Sequence, residues 1–110
     1  MNALTWREAQ FEIDCSTGKS TVNGKIFEGD VFGIDHRVVA EEDEYWVVTH
    51  LPTGTKFSFY FDREEQAKEF VYRVAPLADW KAATLNKQQL RLLVNPIGDQ
   101  LEALNCEEEA

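Results

Sequence analysis

Tyr45-Trp46-Val47-Val48-Thr49-His50-Leu51, the turn Pro52-Thr53-Gly54 and the return Phe57-Ser58-Phe59-Tyr60-Phe61 decide how the rest of this chain reads. The first run is β-branched or aromatic almost throughout, as a strand requires. Pro and Gly then reverse the chain. On the returning strand Phe57, Phe59 and Phe61 recur with period two, so three aromatic rings share one face. That face needs a cover, and the next residues supply it.

Asp62 reads as a helix N-cap with Glu65 three residues on, where a side chain satisfies the first unpaired amides. Ala67, Phe70, Val71 and Val74 follow at helical spacing, with Glu64, Glu65, Lys68, Glu69 and Arg73 outside. Pro76 ends that helix and suits the first turn of a second, from Leu77 to about Leu85. Asn86 with Gln89 predicts another capped start leading into Leu90, Leu92, Leu93 and Val94. Asn95-Pro96 is expected to stop it, and Asp99 to cap a last short helix through Leu104.

Upstream, residues 2–10 are ambiguous, although the Thr5 and Glu8 spacing suits the start of a short helix. Phe11, Ile13 and Cys15 alternate with Glu12 and Asp14, a strand with one wet face. Ser16-Thr17-Gly18-Lys19 reads as a turn, and Asn23-Gly24 as the strongest hairpin signal in the chain. After Gly29-Asp30, Phe32, Ile34, His36 and Val38 fall on one face of a third extended segment. Strands first and helices after predict an α+β domain. The expected fold is an antiparallel β-sheet of four or five strands in hairpins, packed against C-terminal helices. It is read as one domain over 1–110, mainly β over 1–61, mainly α over 62–105, with an acidic tail at 106–110.

Twenty acidic residues stand against eleven basic ones, a net charge of −9. That balance disfavours direct nucleic-acid binding, which needs a clustered basic face to release counterions. It favours steered association with a basic protein surface. No apolar run approaches the ~20 residues that span a bilayer. The N-terminus lacks a signal-peptide pattern, and Cys15 and Cys106 read as reduced thiols, so the expected location is the cytoplasm.

The chemistry-bearing residues form no recognisable catalytic set. Gly18-Lys19-Ser20 ends like a phosphate loop, but Ile13 stands where the first glycine belongs. Glu41-Glu42-Asp43-Glu44 lacks the alternate oxygen ligands and glycine of a calcium loop. His36 and His50 stand alone, without a neighbour at metal-ligand spacing, and His36 shares its parity with core residues. No enzyme activity, cofactor or metal is therefore expected. Glu41 to Glu44, the tail Glu107, Glu108 and Glu109, and the aromatics Trp46 and Trp80 are the candidate partner-binding residues. Large aromatics anchor interfaces when exposed; Trp6, Trp46 and Trp80 otherwise read as core or core edge.

Tyr60-Phe61-Asp62-Arg63-Glu64-Glu65-Gln66-Ala67 is similar to the strand-to-helix junction of plant AP2-type DNA-binding domains. That resemblance implies a sheet reading DNA through arginines and tryptophans. Here the strands carry only Lys19, Lys25, Arg37 and Lys56 among more numerous carboxylates, so no such role is assigned. In size and charge the chain resembles small acidic inhibitors carried by phages and mobile elements, anti-CRISPR and anti-restriction proteins among them. The resemblance implies a nucleic-acid-processing partner, met in the host cytoplasm. Two other readings stand beside it. One is a small-ligand or enzymatic domain with a pocket between sheet and helices. The other is a homodimerising subunit that associates through an edge strand or the Leu90 to Val94 helix.

Overall fold

A computed structural model describes residues 6–15, 18–40, 43–81 and 87–107. Five antiparallel strands run in sequence order across one sheet: β1 (Trp6–Cys15), β2 (Gly18–Phe27), β3 (Phe32–Ala40), β4 (Asp43–His50) and β5 (Thr55–Lys56). Two helices follow, α1 (Glu64–Val74) and α2 (Lys87–Glu107). The α+β arrangement is the one the sequence predicts.

The long β1–β2 hairpin sets the shape. It pairs without interruption from Trp6↔Phe27 to Cys15↔Gly18. It joins the rest of the sheet through only two pairs, Lys25↔Ile34 and Ile26↔Gly33. Beyond them the hairpin curls over the back of the sheet, and the Asp14 amide donates to the Gly54 carbonyl at 2.9 Å. Its inner residues Phe11, Ile13 and Ile26 form a small second core with Leu51. On the front, Phe27, Phe32, Ile34 and Val48 meet Phe59, Phe61 and the helices in the main core. The centre of the sheet is therefore buried on both faces, from Phe32 to Asp35 and from Val47 to His50. This two-sided burial is why Tyr45–Leu51 reads as a continuous β-branched and aromatic run without a polar alternation. Asp35, inside the back layer, is held by Arg37, whose Nε and Nη2 donate to it at 2.8 and 2.5 Å.

Several expectations are corrected. Residues 6–10 are strand and not helix, because their amides complete the β1–β2 ladder. Asn23-Gly24 is not a turn; it lies inside β2, opposite Gln10 and Ala9. The chain reverses instead at Gly29 and Asp30, both at positive φ. Of the expected turn at 16–19, Gly18 and Lys19 belong instead to β2, paired with Cys15 and Asp14. Residues 16–17, the Thr5 and Asn86 caps, and Glu41, Glu42, Glu108 and Glu109 lie outside the described residues. The returning aromatic strand is interrupted: after β5 and the Phe57 amide bond to Val48, two extra residues bulge out before Phe61 bridges Trp46. Phe57, Phe59 and Phe61 still pack against the front core together. The amide of Tyr60 in the bulge donates to Glu102 of α2 at 2.8 Å.

The helices also shift from their predicted limits. Arg63, not Asp62, is the N-cap of α1, and its amide donates to the Gln66 side chain at 2.9 Å. Glu64, the first helical residue, receives Lys25 of β2 at 2.6 Å and Lys68 at 3.1 Å. Burial raises its pKa, but these two ammonium partners outweigh burial and hold it below the usual carboxylate value. No helix starts at Leu77: a single 3-10 turn, Ala75–Leu77, gives way to extended Ala78. Trp80 then enters the core and its indole N–H donates to the Val74 carbonyl at 2.9 Å, closing the end of α1. The two predicted C-terminal pieces are one helix running through Pro96. The carbonyl that proline leaves without a donor is that of Leu92, on the solvent side, where the residue is 77% exposed. Leu90, Val94, Ile97, Leu101 and Leu104 face the core, and Leu92 and Leu93 face outward. Gly98 lets the Phe59 ring lie on the helix: a methyl group there would sit 2.4 Å from ring atoms. No helix among the described residues is long and apolar enough to cross a membrane.

Candidate partner-binding groove

Beyond Lys25 and Ile34 the strands β2 and β3 part, so residues from His36 onward have a ladder partner on the β4 side only. A free strand edge presents unpaired amides and carbonyls that another extended chain can take up. The split opens into a front groove of about 490 Å³ lined by Glu8, Ala9 and Gln10 of β1, Asn23, Gly24 and Lys25 of β2, and by His36 and Trp46. The helices cover the front of the sheet only as far as Phe32, Ile34 and Val48, and the groove begins where that cover ends.

This limit explains His36. Its parity does match Phe32 and Ile34, but it lies past the helical cover, exposed beside the core and not in it. Its ring stacks on Trp46, with centroids 5.0 Å apart and planes 19° apart. Its Nδ1 is 3.6 Å from Glu44. The buried, hydrogen-bonded histidine is His50. Nε2 contacts the Trp80 carbonyl at 2.8 Å and Nδ1 contacts the Thr53 hydroxyl at 3.0 Å. A carbonyl only accepts, so Nε2 carries the proton.

Trp46 is half-buried, with one face on His36 and its backbone bridged to Phe61. Asp43 and Glu44 are exposed at the β3–β4 end, beside Val38, which is 58% exposed. Trp80 lies apart from them in the main core, and Glu107 closes α2. Of the sequence-predicted residues, Trp46 lines the groove and Glu44 reaches it through His36, while Asp43 pairs with Ala40 at the end of β4 and does not line it. The structure adds Glu8, Gln10 and Asn23, which come from strands distant in sequence. Their only trace in the sequence is the polar parity that Glu8 and Gln10 share with Glu12 and Asp14. Among the described residues Lys25 is the one lysine or arginine lining the groove, and it is already committed to Glu64. The groove thus offers hydrogen-bonding backbone, the Glu8 carboxylate in its lining, Glu44 beside His36 and a stacked aromatic wall. Among the described residues no three His, Cys, Asp or Glu side chains converge as a metal site.

Comparison with protein-family models, with curated proteins and with solved structures finds no match to this chain.

Proposed function

We propose that the protein is a non-catalytic binding module that takes a basic segment of a protein partner into the groove between β2 and β3. The observation that supports this reading is the free edge of β3 from His36 onward, with Glu8 in the groove lining on one side and Glu44, 3.6 Å from His36, on the other. An added strand gains affinity from main-chain hydrogen bonds and specificity from flanking side chains. Here those side chains favour Lys and Arg, and the His36–Trp46 stack offers an aromatic wall to an arginine. The net charge of −9 steers such a partner in from a distance. Nucleic-acid-processing proteins carry basic surfaces of this kind. An inhibitor acting against them, of the phage or mobile-element anti-defence or anti-CRISPR type, is the biological role this chemistry fits.

The test compares the protein with the triple variant Glu8→Lys, Asp43→Lys, Glu44→Lys. All three positions are exposed, so the fold is not at stake. In affinity capture from lysate, a partner released by moderate salt is expected with the native protein. At least ten-fold less is expected with the variant. A lysine-rich extended peptide is expected to shift the amide resonances of 36–38. Equal capture by both proteins, or an unperturbed β3 edge with the peptide, overturns the reading.

A further inference from the structure

A second concavity lies at the other end of the front face, where β5 and the bulge after it meet the first half of α2. It has a volume of about 250 Å³ and opens to solvent. Its apolar wall is Phe57, Phe59, Trp80, Leu90 and Val94. His50 lies in its floor, fixed through both ring nitrogens. It shares no lining residue with the groove described above.

Its rim carries a charge opposite to that of the molecule. Lys56 and Arg91 both line it. Most cations of this acidic protein are spent on carboxylates: Arg7 on Asp30, Lys19 on Asp14, Lys25 and Lys68 on Glu64, Arg37 on Asp35 and Arg73 on Glu69. Lys56 instead donates to the Tyr60 hydroxyl at 3.0 Å and lies over that ring. Neither Lys56 nor Arg91 has a carboxylate partner among the described residues. Two such cations beside an aromatic-lined hollow, on a chain of net charge −9, are a local arrangement for an anion with an apolar body. The volume is below the ~300–1,000 Å³ of sites for drug-sized ligands, so it suits one small ring system.

We propose that this cavity binds a small aromatic carboxylate, its ring against Trp80, Phe57 and Val94 and its carboxylate toward Arg91 and Lys56. Ring burial supplies the contact area, and a guanidinium supplies a paired, charge-assisted hydrogen bond to the two oxygens. The other polar groups of the wall, among them the Thr55 and Ser58 hydroxyls, can donate to the same oxygens.

The experiment titrates the full chain with indole-3-carboxylate, neutral indole and tryptamine. It follows the indole N–H resonance of Trp80, which is bound to Val74 in the core and so also reports that the chain is folded. Indole-3-carboxylate is expected to shift that resonance and to bind at least ten-fold more tightly than indole, with tryptamine weakest. Arg91→Gln is expected to bring the carboxylate to within two-fold of indole, and Lys56→Gln to weaken it several-fold. Both residues are exposed. The proposal is overturned by an unmoved Trp80 resonance at millimolar carboxylate. Equal binding of indole and indole-3-carboxylate, or a preference that survives Arg91→Gln, also overturns it.

Discussion

Gly24→Ala is expected to destabilise the protein by about 3 kcal/mol, the upper end of what overpacking costs, and to lower Tm by roughly 10–25 °C. A Cβ at this position would lie 2.1 Å from the backbone carbonyl oxygen of Ile34 and 3.0 Å from the Phe11 ring. The first of these neighbours is main chain and cannot rotate away. Relief therefore requires β2 to move off β3, and only the Lys25↔Ile34 and Ile26↔Gly33 pairs tie the two strands together. Losing them would loosen the whole β1–β2 hairpin, including the small core around Phe11 and Ile13. Gly29→Ala is the matched control. Gly29 has φ of 92° with open space around it, so alanine there costs only the left-handed penalty, about 1–2 kcal/mol. Thermal and urea denaturation of the two variants decide the matter. Gly24→Ala no more damaging than Gly29→Ala would mean that the β2–β3 approach is not what requires glycine.

The same residue shows where the sequence is ambiguous. Asn-Gly between apolar residues is a turn signal because glycine tolerates positive φ. Glycine is equally required where two backbones approach closely, and a single sequence does not distinguish the two needs. Gly24 answers the second, which is why the expected hairpin is absent there. Pro96 is a similar case: its local rule is a helix stop, but the residues on both sides of it, Val94 and Leu101, are buried on one helix face. Packing along that face outweighs one lost hydrogen bond. By contrast, Phe57, Phe59 and Phe61 and the stripe Ala67, Phe70, Val71 and Val74 were legible, since period two and period 3.6 record burial directly.

The groove was legible only in part. Asp43 and Glu44 stand out as a charge run, and Trp46 as a large aromatic. That His36 would be exposed depends on how far the helices reach over β3, a tertiary fact with no local signature. The splaying of β2 from β3 likewise follows from the curl of the hairpin, set by the contact of Asp14 with Gly54 forty residues on.

Gln66→Leu is expected to cost about 1–3 kcal/mol although it places an apolar side chain at a buried site, the cost of one buried polar group left unpaired. The amide of Gln66 is 3% exposed and serves two elements. Its oxygen accepts the Arg63 N–H at the start of α1, and its NH₂ donates to the Leu101 carbonyl of α2 at 2.7 Å. Leucine would take the cap acceptor from the Arg63 N–H and remove the polar tie between the helices that cover the front core, although the Leu101 carbonyl keeps its helical partner within α2. Gln66→Glu separates the two roles. An ionised carboxylate can still accept from Arg63 but faces the Leu101 oxygen with a like charge. A protonated one restores a donor to it. Folding then favours the neutral form, so the new carboxyl titrates above its unfolded value of ~4.3. The sign follows from that shift. The variant should approach native stability at pH below ~4.3 and lose it as pH rises through the raised folded value. Denaturation of Gln66→Glu against the native chain between pH 4 and 8 reads this directly. A difference that does not grow with pH would show that the bond to Leu101 contributes little, and that Gln66 acts only as the cap of α1.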